Sequence, residues 1–278
     1  MSRNPYHTKG QPPTLLPSLL VLMDILGYKT MIHEASVAGK QHELLQDLHS
    51  ALTSGREWLE DKDLSPEFYE MMKKDDYALK AFTDNIVIGW PIYGDAEGEF
   101  GAAFLKIGYF QLQMALHGFF LRGALSIGDA YVDEIVVIGQ ALTEAYDGEN
   151  SLARDPRIIL TKSAVETVKR HLQYYGDPKA APQSQDVLCD TDGQWFINYL
   201  NCVFEEDMDG FPSYETIMKH KEVVQSKLVE FKGKPPIWSK YSWVARYHNF
   251  FCDMHSGYLD DEHKIDMRLY EQRPTIIS

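Results

Sequence analysis

The stretch "LVLMDILGYKTMI", residues 20–32, constrains this chain more tightly than any other. Residues 19–23 are apolar without a break, the run stops on one acid, Asp24, and a glycine follows at Gly27. A short uninterrupted apolar run reads as a buried strand. Its carboxylate end leaves two readings open. Asp24 is a turn former or helix cap, as aspartate often is after a strand. Or it is a ligand, set at a strand end where an ion can reach it.

The remaining pattern restricts the topology. Leu44, Leu45, Leu48, Leu52 and Leu59 fall at helical spacing within 41–60, and Ser65-Pro66 marks another helix start. In "YALKAFTDNIVIGWPI", residues 77–92, two β-rich runs flank Thr83-Asp84-Asn85, which is a hairpin signal. Residues 101–119 predict an apolar helix, and 121–138 a strand, a turn and a strand. A short helix over 140–149 and a strand over 157–160 follow. Ser163 and Glu166 have capping-box spacing for a helix reaching Tyr174.

Residues 1–14 read as a loose tail and 176–191 as a surface loop. "QWFINYLN" is strand-like. Residues 213–231 and the aromatic stretch 239–255 predict helices on either side of a break from Gly233 to Pro236. The order β-α-β-β-α-β predicts an α/β (α+β) chain of the ferredoxin-like kind. Residues 1–175 would form its core. Residues 176–278 would be a C-terminal strand and helix extension packed on that core.

Composition narrows the function. A net charge of −14 disfavours binding to nucleic-acid phosphates. Three cysteines, Cys189, Cys202 and Cys252, are too few and too odd for a disulfide framework. No run is long and apolar enough to span a membrane, and the first residues lack the apolar stretch of a signal peptide. The expectation is a soluble cytoplasmic protein with neither nucleic acid nor membrane as partner.

In a ferredoxin-like sheet the end of the first strand and the tip of the hairpin are neighbours, which brings Asp24 and Asp84 together. Two carboxylates aimed at one spot repel unless a cation lies between them. Mg2+ or Mn2+ suits oxygen ligands and leaves room for substrate phosphates, and two such ions would activate an attacking oxygen and neutralise leaving pyrophosphate. Ile25 would add a backbone carbonyl. Leu26, Gly27 and Tyr28 would offer backbone N–H groups to phosphates at a helix start. Against this stands the plain reading that Thr-Asp-Asn is turn chemistry.

Four motifs occur in order: "VLMDILGYKTM", "KAFTDNIVIGW", "LRGALSIGDAY" and "IGQALTEAY". Together they resemble the catalytic domain of class III nucleotidyl cyclases over roughly residues 18–165. The resemblance implies that Asp24 and Asp84 bind two metal ions and hold a nucleoside triphosphate. The 3′-oxygen then attacks the α-phosphorus, giving a 3′,5′-cyclic nucleotide and pyrophosphate. Sites in that family form between two chains, so a homodimer is implied.

The match has gaps. The family's helix Asn and Arg fall here on Thr143 and Asp147, and neither suits a developing phosphorane charge. Arg122 is the candidate replacement, with Arg154 and Arg157 as others. The base-reading positions fall on Lys80 and Val136, which is not a purine-reading pair, whereas a lysine can donate to a carbonyl of uracil or cytosine. The second motif, Phe82-Thr83-Asp84-Asn85, the Pro156-Arg157-Ile158 strand and the long C-terminal extension are similar to the pyrimidine cyclases of bacterial anti-phage Pycsar systems. That likeness implies UTP or CTP as substrate, cyclic UMP or cyclic CMP as product, and a separate effector that reads it. A purine cyclase, or an inactive nucleotide-binding dimer, is the alternative.

Other clusters look structural. His248, Cys252 and His255 share one helical face but lie beside an apolar stripe without a fourth ligand. Arg246 and Asn249 are expected to cap or brace the sheet. Asp129, Asp133 and Glu134 read as a solvated turn, and 205–207 as a charged loop.

Overall fold

A computed structural model describes residues 4–7, 10–59, 77–82, 84–181, 183–204 and 210–270. The helix start expected at Ser65-Pro66, the turn residue Thr83 and the acidic run 205–207 lie outside the described residues.

The strands are β1 Leu16–Ile25, β2 Ala78–Phe82, β3 Asn85–Pro91, β4 Leu121–Val132, β5 Val137–Gly139, β6 Ile158–Leu160, β7 Val187–Cys189 and β8 Trp195–Ile197. They form one sheet in the order β2-β3-β1-β4-β6-β8-β7, with β5 paired to β4. β1 lies between β3 and β4 and is antiparallel to both, while β2 and β3 form the hairpin. This is the expected ferredoxin-like arrangement. Register sets Asp24 opposite Asn85 on one side and Arg122 on the other.

The unbroken apolar run of β1 is explained by burial on both sides. Leu19, Val21, Met23 and Ile25 face the main core with Ile86, Ile88 and Trp90, against the helix Glu97–Leu116. Leu20 and Leu22 face a smaller core built with Val87, Val132, Ala141 and Ala145. The helix Gln140–Ser151 covers that second face. It lies close because Gly148 has no Cβ; one added there would stand 3.0 Å from Ala124 Cβ and from Thr161 Cγ2.

Several sequence expectations need correction. Within the expected loose tail, Asn4 and Tyr6 are pinned over the second face. Tyr6 is buried, its hydroxyl donates to Ser18 Oγ at 2.9 Å, and Asn4 Nδ2 donates to the Val132 carbonyl at 2.8 Å. Residues 176–191 are more than a loop, since they contain the helix Gln183–Asp186 and the edge strand β7. β8 pairs with β6 and carries that hairpin onto the sheet, at a place no local pattern in a polar stretch encodes. The capping box is not made either. Thr161 is the N-cap of the helix Lys162–Leu172. Ser163 instead accepts from the Ile127 N–H at 2.8 Å and donates its own N–H to Glu144 at 3.0 Å, because tertiary partners outbid the local one.

The C-terminal helices Tyr214–Glu230 and Pro235–Met254 complete the main core through Val224, Leu228, Val244 and Phe251. Fully buried Arg157 ties this layer down. It pairs with Asp190 and Asp192, and its guanidinium lies 5.4 Å from the Trp243 ring. Asn249 clamps the backbone of Ile265 with two hydrogen bonds, and Arg246 bonds to the Ser242 carbonyl, so neither braces the sheet. No helix among the described residues is long and apolar enough to cross a membrane.

Candidate active site

Asp24 stands at the end of β1 because the sheet's apolar alternation ends there. The chain leaves the strand through Ile25 and Leu26 and turns at Gly27, where φ is 76°, a left-handed conformation that glycine adopts without strain. The helix Tyr28–Ala38 starts at the next residue. Ile25 N–H donates to the Asp84 carbonyl at 3.0 Å, and Leu26 N–H to the Phe120 carbonyl at 2.9 Å. These two bonds fix the hairpin tip and the start of β4 beside the turn.

Arg122 is the hub of the charges. Its Nε is 3.0 Å from Asp24 Oδ2 and its Nη2 is 2.8 Å from Glu149 Oε1. Asp84 faces the same point, with Asn85 Nδ2 donating to its Oδ1 at 3.2 Å. Burial raises the Asp24 carboxyl above its ordinary range; Arg122 opposes this and Asp84 adds to it. Burial likewise raises Glu149, with Arg122 opposing and Asp24 and Asp84 reinforcing. The set therefore holds two carboxylates on one guanidinium with a third, Asp84, acting on Asp24, and mutual repulsion is still felt. Such hard oxygen donors with excess negative charge fit Mg2+ or Mn2+.

The sequence-derived residues separate into groups. Asp24, Asp84 and Arg122 converge. The side chains of Ile25 and Leu26 are buried in the main core and Tyr28 packs against it, and the Ile25 and Leu26 N–H groups are taken by Asp84 and Phe120, which leaves the Ile25 carbonyl and the N–H groups of Gly27 and Tyr28 as candidate ligand contacts. Lys80 lies on β2 opposite Val87, and its charge acts on Asp133. Val136, expected beside a base on a strand, sits in the tip between β4 and β5. There Asp133 Oδ1 accepts from the Ile135 and Val136 N–H groups at 2.7 Å each. Partial burial opposes ionisation of Asp133, yet these bonds and Lys80 hold its carboxyl below the ordinary range. Lys80 and Val136 are thus both tied to Asp133, and Lys80 is not among the charges that act on Asp24 or Glu149.

Thr143 and Asp147 are exposed on the outer face of the helix Gln140–Ser151. Arg154 is largely exposed beside Asp155, and Arg157 is structural. Sequence reasoning missed Glu149 and Lys240. Glu149 follows Ala141 and Ala145 on the buried helix face, a spacing that marks it as inward-facing. Lys240, on the C-terminal helix, interacts electrostatically with Arg122, Asp155, Asp24 and Arg154. No local signal in the sequence points to it.

The helix-face trio is structural. His248 bonds to His220 and to the His263 carbonyl, and His255 packs on Phe204 and Phe251.

No protein-family model matches the chain, and no curated protein is significantly similar to it. Among solved structures it is similar to a class III adenylyl cyclase-like ATP-binding protein from Pseudomonas aeruginosa. The TM-score is 0.42 and the identity 11%, over 66% of this chain and 44% of that one. The chain thus spans less than half the length of that structure.

Proposed function

We propose that this chain is a pyrimidine nucleotide cyclase that acts as a homodimer and converts UTP, or CTP, to the 3′,5′-cyclic monophosphate and pyrophosphate. The observation that carries the reading is the meeting of Asp24, Asp84 and Arg122 at one strand end, beside a glycine turn that opens a helix. Asp24 and Asp84, with the Ile25 carbonyl, would hold two Mg2+ or Mn2+ ions, which when bound supply charge neutralisation for the triphosphate and acidify the 3′-hydroxyl. The backbone N–H groups of Gly27 and Tyr28, at the helix start, receive phosphate oxygens, while that of Leu26 stays on the Phe120 carbonyl. Arg122 turns from its carboxylate partners toward the charge that develops on phosphorus. The 3′-oxygen forms a bond to the α-phosphorus, the bond to the bridging α–β oxygen breaks, pyrophosphate leaves, and the hydroxyl proton passes to water.

Lys80 and the 132–137 tip stand apart from the acids in one chain. A two-chain site, in which each protomer lends its Lys80 region to the partner's acids, accounts for that separation. Lys80 then donates to a pyrimidine carbonyl, and a separate cyclic-nucleotide-binding effector in anti-phage defence reads the product.

The test is incubation with each of the four nucleoside triphosphates and Mn2+, with products identified by mass spectrometry. Cyclic UMP or cyclic CMP is expected. Cyclic AMP or cyclic GMP as the main product refutes the pyrimidine assignment. The exposure of Thr143 and Asp147 favours one rival, a nucleotide-binding dimer without turnover. Triphosphate binding with no cyclic product from any of the four would establish that rival instead.

A further inference from the structure

The C-terminal helix is anchored at the same sheet end as the acids. The Tyr241 ring packs edge-on against Phe120 at 5.3 Å, and the Phe120 carbonyl holds the Leu26 N–H beside the glycine turn. Two residues later Trp243 covers Arg157, whose carbonyl accepts from the Gly123 N–H at 3.1 Å. Lys240 precedes Tyr241 and is half-buried. The charges of Arg122, Asp155, Asp24 and Arg154 act on it, yet among the described residues it has no hydrogen bond or ion pair of its own.

A half-buried lysine that stops short of the acids near it is unusual, because a charged group leaving water normally takes a partner. Here the nearest acids are engaged: Arg122 holds Asp24, and Arg154 lies against Asp155. Lys240 also stands beside a second cation, an arrangement that a polyanion bridging both would stabilise. Thr143 and Asp147 cannot supply such charge, since one is neutral and the other is an acid.

We propose that Lys240 is a triphosphate-binding residue that the C-terminal helix contributes to its own chain's site. It works with Arg122 to hold the phosphate chain beside Asp24 and Asp84. The assignment rests on the nucleotide reading given above and explains how the extension serves it: the helix carries the cation that the 140–151 helix lacks.

The test is calorimetric binding of inorganic tripolyphosphate, and of 3′-deoxyuridine triphosphate, which lacks the attacking hydroxyl, both in Mn2+. Lys240→Met should weaken both by about tenfold or more, the usual size of one charge-assisted contact. Lys240→Arg should retain binding within about threefold of the parent by the same reckoning. Lys234→Met, on an exposed lysine at the start of the same helix that pairs with Glu34, should match the parent. Should Lys240→Met fail to fold, Lys240→Gln carries the same comparison. Binding by the methionine or glutamine variant at parental affinity overturns the assignment. Parental binding without cyclic product would sink the cyclase reading and leave Lys240 standing. Turnover with unchanged KM in Lys240→Met would do the reverse. Failure of the parent to bind either probe overturns both.

Discussion

Acid should unfold this protein through one pair of rings. His220 and His248 are fully buried and stacked with their planes 9° apart, and their Nδ1 atoms are 3.0 Å apart. The outer nitrogen of His220 meets the Tyr199 hydroxyl at 2.9 Å, and that of His248 meets the His263 carbonyl at 2.9 Å. Burial drives the His248 pKa down to about 4, with the His263 carbonyl opposing. Burial, with His248 adding, sets His220 well below its ordinary value. Both rings are therefore neutral in the fold, whereas the unfolded chain protonates them near pH 6.5. The unfolded state binds more protons between these values, so the contribution is whole above pH 6.5 and is lost as pH falls toward 4. For His248 alone the full loss is about 3 kcal/mol, of which about 1.3 kcal/mol falls between pH 7.5 and 5.5.

That partial loss corresponds to a melting temperature about 2 °C lower, and His220 adds in the same direction. The raised carboxyls of Asp24 and Glu149 act oppositely, regaining stability as pH falls, so the share of the rings is read from the difference between the parent and His248→Gln. The assay is thermal unfolding of the parent and His248→Gln across this range, with ring resonances followed by NMR. His248→Gln should start less stable, because buried groups lose partners, and should show the shallower pH slope. An unchanged slope in His248→Gln, or a His248 ring that titrates above pH 6, would refute the reasoning.

Asp24→Asn and Asp84→Asn should each cut cyclic-nucleotide formation by on the order of 100-fold or more while circular dichroism stays native; full turnover in either variant rules out metal catalysis through these acids. Relief of carboxylate repulsion should also leave Asp24→Asn at least as heat-stable as the parent in metal-free buffer, as scanning calorimetry would show. Arg157→Ala leaves Asp190 and Asp192 without their cation and should cost about 3–5 kcal/mol in urea unfolding. Gly148→Val places methyl groups against Ala124 and Thr161 and should destabilise by about 1–3 kcal/mol, through displacement of the helix that carries Glu149. Specific activity should fall on dilution below the dimer constant; sedimentation showing a fully active monomer would defeat the shared site.

Much of the core fold was legible in the sequence because the determining signals are local. The unbroken run before Asp24, the turn chemistry around Asp84 and the helical leucine spacing each require only neighbouring residues to be read. Gly27 announced its turn because few residues accept a left-handed backbone. Asp24 and Asp84 could be named because strand ends and hairpin tips advertise themselves, and the topology that joins them follows from the element order. What tertiary structure alone decided is which distant groups share that place. Glu149 reaches Arg122 only because Gly148 lets its helix settle on β4, and Lys240 arrives only because Phe120 and Arg157 anchor the last long helix. β7 becomes a strand because β8 offers it an edge, and Tyr6 is buried because the second sheet face needed a cover. Ser163 left its expected cap for partners on β4 and the 140–151 helix. In each case the deciding energy is burial or hydrogen bonding between segments far apart in the chain, and such contacts leave no periodic mark on either segment.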